Sequence, residues 1–203
     1  MPDTSLTIAI VSCNRLHYLK ALVESLRKCI TLGDVQWIIV DNASVEEGLR
    51  EYVESLNFVE HKVFQERRDP SREFALACSR ILELASGKYL LPLTDDLQII
   101  VRSDWLWDCI EIAEEHPEIG SIVIDAQRMV TLDRFFKRKG WKRILPFVES
   151  YRSYELAGGS NAMVSYGNQK PGVSTALVNA LTRTEIWRRL GTSVVTNRPQ
   201  TML

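Results

Sequence analysis

The chain has 203 residues, 45% hydrophobic and 25% charged, with few Gly and Pro, an ordinary composition for a globular protein with room for one sizeable domain. A formal net charge of -1 gives no global pull toward nucleic acid, and no nucleic-acid partner is expected. No run approaches the roughly 18 apolar residues of a membrane span, and Met1-Pro2-Asp3-Thr4-Ser5 lacks the basic and apolar segments of a signal peptide.

Thr7-Ile8-Ala9-Ile10-Val11-Ser12 is a β-branched, apolar run and reads as a buried strand. Asn14 is placed to cap the helix that follows, in which Leu16, Leu19, Val23, Leu26 and Ile30 recur at helical spacing. Trp37-Ile38-Ile39-Val40 is a second buried strand and stops on a carboxylate, Asp41. Ser44 and Glu47 have capping-box spacing for a helix over 45–56. Val59 to Phe64 reads as a third strand. Asp69-Pro70 then reads as a cap with proline at the first helical position. The helix reaching Ala85 carries Phe74, Ala77, Cys78, Ile81 and Leu82 on one side.

Gly87-Lys88-Tyr89-Leu90-Leu91-Pro92-Leu93-Thr94-Asp95-Asp96 is the centre of the reading. Gly87 is expected to cap the preceding helix. The apolar run then reads as a central strand, and it ends abruptly on two adjacent carboxylates. Ligands of open α/β sheets bind beyond the carboxyl ends of the strands. Two carboxylates side by side repel unless a cation or proton lies between them, and a divalent metal carrying a phosphate would resolve that. A helix cap or solvated turn suits the same pair.

Ser103 is placed to cap a helix with Leu106, Cys109, Ile110 and Ala113 inward and Pro117 closing it, and 120–124 reads as a fifth strand. The alternation of strands and helices up to this point predicts an α/β fold, a mostly parallel Rossmann-like sheet with helices on both faces. Beyond Asp125 the pattern loosens. Arg134 to Arg143 puts six basic residues and three aromatics into ten positions. It suits a solvated loop or a surface that meets phosphates on a substrate or a lipid headgroup. Gly158-Gly159-Ser160-Asn161 and Tyr166-Gly167-Asn168 read as loop material. Residues 174–181 read as a strand, and Thr184 as the cap of a short helix ending at Gly191. Cys13, Cys29, Cys78 and Cys109 show no paired or metal-type spacing and are expected to be buried, reduced thiols of a cytoplasmic protein.

Three strand ends, Ser12-Cys13-Asn14-Arg15, Val40-Asp41-Asn42-Ala43-Ser44 and Thr94-Asp95-Asp96, follow one another in an order and spacing that resemble the family 2 glycosyltransferases. Their fold is the A-type nucleotide-diphospho-sugar transferase fold. The resemblance runs from about Leu6 to Ile124, with a weaker echo over 174–191. It implies that Ser12, Asn14 and Arg15 approach the nucleotide, and that Asp41 hydrogen-bonds the base. A carboxylate only accepts, so it would select a ring N–H. It further implies that Asp95 meets the ribose or metal and that Asp96, matching the last acid of the Asp-x-Asp pattern, holds Mg or Mn against the diphosphate.

Three departures stand out. Thr94 replaces the first acid, Ser71-Arg72-Glu73 replaces the usual Asn-x-Gly, and no acid follows Gly191. Arg67, Arg68 and Arg72 cluster near the second departure and could face the nucleotide. An inverting transfer needs a carboxylate base, for which Asp125 and Glu155 are the nearby candidates. The expected organisation is a nucleotide-sugar-binding half over 1–125 and an acceptor-side region over 126–203 of the same domain, as in an amino-terminal portion or short member of the family. The resemblance implies a metal-assisted hexosyltransferase acting on a glycan or lipid-linked acceptor. Its setting would be cytoplasmic, at the inner face of the membrane if Arg134–Arg143 meets lipid. A catalytically inactive nucleotide-sugar-binding module is the first alternative, favoured by Thr94 and the absent acid. A nucleotidyltransferase is the second, although Ser12-Cys13-Asn14-Arg15 lacks the glycines of a triphosphate loop.

Overall fold

The computed structural model describes residues 6–29, 33, 35–99, 105–117, 119, 121–123, 150–156, 160–166 and 179–190. Strands β1 (Leu6–Ser12), β2 (Val35–Asp41), β3 (His61–Phe64) and β4 (Tyr89–Thr94) alternate with helices α1 (Leu16–Cys29), α2 (Leu49–Ser55) and α3 (Glu73–Leu84). Helix α4 (Trp105–Glu115) and strand β5 (Ser121–Val123) follow. Two further strands, β6 (Ser150–Leu156) and β7 (Ser160–Tyr166), form an antiparallel hairpin. Strand β8 (Ala180–Arg183) and helix α5 (Thr184–Leu190) end the described chain.

The main sheet has the order β3-β2-β1-β4-β8-β5. Its first four strands are parallel, and β8 runs antiparallel to both β4 and β5. Side chains alternate between faces at every residue of a strand. Leu6, Ile8 and Ile10 of β1 and Tyr89, Leu91 and Leu93 of β4 therefore share one face, packed with Leu19, Leu22 and Leu26 of α1, Val53 of α2 and Leu106 and Ile110 of α4. Ala9, Ile38, Val40 and Leu90 point the other way, against Ala77, Cys78 and Ile81 of α3 and Trp187 of α5. Because helices cover both faces, these strands are apolar throughout rather than alternating. Each such Leu or Ile contributes about 1.5–3 kcal/mol over an exposed one, whereas exposed pairs such as Lys28–Glu24 and Arg50–Glu54 are screened by solvent and contribute little. The apolar layers therefore hold the strand ends in place.

The expected mostly parallel sheet with helices on both faces is the observed architecture. Four local expectations are corrected. The helix expected over 45–56 begins at Leu49, after Gly48 in a left-handed conformation (φ 79). The third helix begins at Glu73, with Arg72 before it. Asp69 instead holds the approach turn, its carboxylate accepting from the Ser71 amide and hydroxyl. Gly87 is no helix cap, because Ala85 occupies that position in extended conformation. Its role is proximity, since an added Cβ would lie 2.6 Å from the Thr7 amide nitrogen. The segment read as loop around Ser160–Asn161 is the start of β7.

Of the strand expected over 174–181, residues 174–178 lie outside the described residues and β8 covers Ala180–Arg183, while Thr184 does not cap α5 with its hydroxyl. That hydroxyl donates to the Gly87 carbonyl at 2.5 Å, and the Thr184 amide donates to Lys88 O at 2.9 Å, tying α5 to the start of β4.

The cysteines divide into two kinds. Cys78 and Cys109 are buried, and burial pushes both thiols up to about 12. Cys13 and Cys29 are half-buried, contrary to the expectation that all would be buried. Only a thiolate is alkylated readily. A short iodoacetamide pulse on native protein at pH 8, read by mass spectrometry, is therefore expected to leave Cys78 and Cys109 unlabelled until denaturant is added. Labelling of either in the native state would contradict the packing described.

Candidate active site at the strand ends

The carboxyl ends of β1, β2 and β4 lie level, since Ser12 pairs with Asp41 and Val11 with Thr94. Asp95 and Asp96 follow directly on β4. Asp95 is buried, only 4% exposed. Its Oδ2 accepts from the Ser12 hydroxyl at 2.8 Å and from the Cys13 amide at 3.4 Å. Its Oδ1 accepts from Arg15 Nη1 at 3.3 Å. Burial pushes the Asp95 carboxyl above the usual range, and the Ser12 hydroxyl, the Arg15 charge and the Cys13 amide pull it back.

Asp96 is exposed, and its Oδ2 accepts from the same Arg15 nitrogen, also at 3.3 Å. Its other oxygen accepts from the Thr94 hydroxyl at 2.6 Å. Thr94, in the place of an acid, thus steers Asp96 instead of repelling it. Thr94 is itself fixed by Asn179, whose Oδ1 accepts from the Thr94 amide at 3.1 Å and whose Nδ2 lies 3.5 Å from the hydroxyl. Asn179 has φ 60, a region that asparagine tolerates better than most residues. Its own amide donates to Pro92 O at 2.6 Å.

A second knot lies beside this one. The amide and hydroxyl of Ser44 donate to the two oxygens of buried Asp41, the amide at 3.0 Å. Ser44 Oγ in turn accepts from the Asn14 amide at 2.8 Å. Asn14 Oδ1 accepts from the amides of Val45 and Glu46 at 2.7 and 3.2 Å, and Glu46 Oε2 accepts from the Leu16 amide at 2.9 Å. The loops after β1 and β2 therefore cap one another. Asn14, at φ 52, does not cap its own helix, and the Ser44–Glu47 capping box does not form. Glu46 serves the start of α1 instead.

Ser12, Arg15, Asp95 and Asp96 thus meet in one cluster, and Asn14 and Asp41 meet in the neighbouring one through Ser44. Arg68 of the basic cluster is ion-paired with Glu73 at 3.0 Å. Glu155 lies on β6 in register with Asn161. Asp125 and the Arg134–Arg143 run lie outside the described residues. Sequence reasoning missed Asn179 and Glu46. An asparagine just before a short apolar strand was the only available sign of the first, and nothing local signalled the second.

The oxygens of Asp95 and Asp96 converge on a single cationic nitrogen, so the pair is arranged to share one positive group. Among the described residues no group of three or more His, Cys, Asp and Glu side chains gathers. A two-carboxylate set nevertheless suits Mg-type ions, which take one or two carboxylates and complete their shell with phosphates and water.

A family model described as glycosyl transferase family 2 matches residues 7–168. The chain belongs to that family. This glycosyl transferase family 2 chain is similar in fold to the mannosyltransferase PcManGT from Pyrobaculum calidifontis in complex with GDP-Man and Mn2+. The TM-score is 0.60 at 16% identity, over 97% of this chain and 50% of that one. It is also similar to TarS of S. aureus (TM-score 0.56, 14% identity, 97% of this chain and 32% of that one). TarS 1-349 in complex with UDP-GlcNAc gives a TM-score of 0.53 at 15% identity, over 91% of this chain and 47% of that one. The glycosyl transferase family 2 chain therefore spans about half or less of the length of these structures. No curated protein sequence matches it.

Proposed function

We propose that the chain binds a nucleoside-diphosphate sugar at the ends of β1, β2 and β4 and moves the sugar to an acceptor hydroxyl with Mg or Mn assistance. The observation that carries this reading is the convergence of Asp95 and Asp96 on one cation position directly after the central strand. The family membership and the nucleotide sugars held by PcManGT and TarS support it. Asp95 and Asp96 would hold the ion, which when bound would neutralise the departing diphosphate. Ser12 and the Cys13 amide keep Asp95 in place, and Thr94 aims Asp96. Asp41 would accept a base N–H, its Ser44 bonds leaving each oxygen one further lone pair. Asn14 holds the loop that presents Asp41.

The acceptor would be a glycan or a lipid-linked carrier, met by the 126–203 region and, at a cytoplasmic membrane face, by Arg134–Arg143. Asp125 and Glu155 stay the candidates for the proton-accepting carboxylate. Among the described residues no helix is long and apolar enough to cross a membrane. A second reading, a nucleotide-sugar-binding module without transfer, is favoured by Thr94 in the place of an acid and by Arg15 lying across the carboxylate pair.

Calorimetric titration of UDP, GDP and CDP, with and without Mn, tests this on wild type, Asp96→Ala and Asp41→Ala. One nucleotide is expected to bind with metal dependence, which Asp96→Ala removes. Asp41→Ala is expected to weaken that nucleotide and blur the choice of base. Binding without sugar turnover would select the second reading. No nucleotide binding by folded protein would overturn both.

A further inference from the structure

Arg15 occupies the position that two carboxylates would otherwise offer to a metal. We infer that Arg15 is a built-in counterion that excludes a divalent cation from Asp95 and Asp96 until a diphosphate arrives to take its guanidinium, so that metal and nucleotide bind as a coupled pair. The inference rests on the donor-site reading above.

Three observations carry it. First, both carboxylates are held through a single nitrogen, Nη1, at 3.3 Å each. Charge-assisted pairs of the strong, forked kind are shorter, about 2.7–2.9 Å, and use two nitrogens. The grip is therefore loose enough to exchange. Second, the Arg15 side chain is 49% exposed, while its carbonyl accepts the Leu19 amide at 2.9 Å in the first turn of α1. A backbone anchored in the helix thus carries a half-exposed head with solvent to move into, so it can leave the pair without disturbing the helix. Third, the charges do not balance if the guanidinium stays. It cannot lose its proton, and with the two carboxylates it leaves one negative charge. A divalent cation alone would turn that into a positive excess at contact distance. A diphosphate more than offsets that positive excess and gives the displaced fork an oxygen-rich partner.

Among the described residues, the hydrogen-bond partners of the two carboxylates other than Arg15 are neutral. Ser12 and the Cys13 amide give Asp95 neutral donors, and Thr94 gives Asp96 another. Arg68 is committed to Glu73. Arg15 is therefore a positioning residue whose charge sets the order in which ligands enter.

The test titrates Mn2+ alone into the full chain and reads free Mn2+ by electron paramagnetic resonance, then repeats the titration with UDP and with GDP present. Wild type is compared with Arg15→Ala and with Arg15→Gln, which keeps length without charge. Both variants are expected to bind Mn2+ alone at least tenfold more tightly than wild type. Both should also lose most of the gain in Mn2+ affinity that the diphosphate gives wild type. Adding Asp96→Asn to Arg15→Gln should erase the tighter binding. Equal or weaker Mn2+ binding in folded Arg15 variants overturns the inference, as does tighter binding that survives Asp96→Asn. A wild type that binds none of UDP, GDP and CDP overturns the donor reading instead, and the Mn2+-only comparison still decides whether Arg15 excludes the cation.

Discussion

Gly87→Ala is expected to destabilise the protein by about 3 kcal/mol, far more than an alanine elsewhere in the same turn. The new Cβ would lie 2.6 Å from the Thr7 amide nitrogen, 2.8 Å from Leu6 C and 2.8 Å from Thr7 Oγ1. Two of those neighbours are backbone of β1, which pairs with β4 from Leu6–Tyr89 onward. They cannot rotate away as a side chain would. Relief requires prising β1 from β4 at the start of the sheet's central pair. It also breaks the bond from the Gly87 amide to Thr7 Oγ1 at 2.9 Å, inside a buried chain that continues from Thr7 Oγ1 to Gln36 Oε1 at 2.7 Å. Gly48→Ala provides the contrast. There the backbone is left-handed, but the nearest atom is a flexible Leu16 methyl at 3.5 Å, so only the conformational cost of about 1–2 kcal/mol applies. Urea unfolding of both variants checks this. A Gly87→Ala midpoint within error of wild type would refute the close approach.

Asn179→Ala is expected to lower the affinity for metal and nucleoside diphosphate by about 10–100-fold, although Asn179 does not touch either carboxylate. The path is short. Asn179 fixes the Thr94 amide and approaches its hydroxyl, and that hydroxyl aims Asp96. Alanine would lose both contacts and would sit at φ 60. Asn179→Gly separates the two effects, since glycine accepts the backbone at no steric cost. Stability should recover partly in Asn179→Gly while affinity stays low. Recovery of both would show that Asn179 matters only for its backbone shape. Full affinity in both variants would show that Thr94 aims Asp96 unaided.

The parts of this molecule that could be read from the sequence are those whose partners are generic. β1, β2 and β4 are covered on both faces, so any apolar neighbour satisfies them, and their runs stand out as continuous. The sharp stops at Ser12, Asp41 and Thr94-Asp95-Asp96 mark where the apolar runs give way to polar groups, of which Ser12, Asp41 and Asp95 are themselves buried. The centres of α1, α3 and α4 follow from spacing alone. Features with specific, distant partners were hidden. Asn14 and Glu46 cap each other's loops across about 30 residues, whereas cap rules assume that a side chain serves its own helix. Arg15 could be assigned to a nucleotide, but nothing nearby in the chain says that it first spans two acids some 80 positions away. The β6–β7 pairing was not read, since Gly158-Gly159-Ser160-Asn161 and Tyr166-Gly167-Asn168 suggest loop material and mixed polarity in Ser150–Leu156 obscures its alternation. The direction of β8 depends on its neighbours and not on its composition.

That strand has a consequence for how the protein is assembled. Among the described residues β5 joins the sheet through β8, for Val123 pairs with Ala180, and Leu90 of β4 pairs with Thr182. During synthesis the first four strands can associate as they emerge, but the open side of β4 must wait for residues that come roughly twice as far along the chain. Until then an apolar strand presents unpaired amides and carbonyls, the condition under which chains recruit one another. The closing step joins segments remote in sequence and so is inherently slow. A growing chain is thus most prone to aggregate between the release of β4 and the arrival of β8, and chaperone capture should concentrate on nascent chains stalled in that interval.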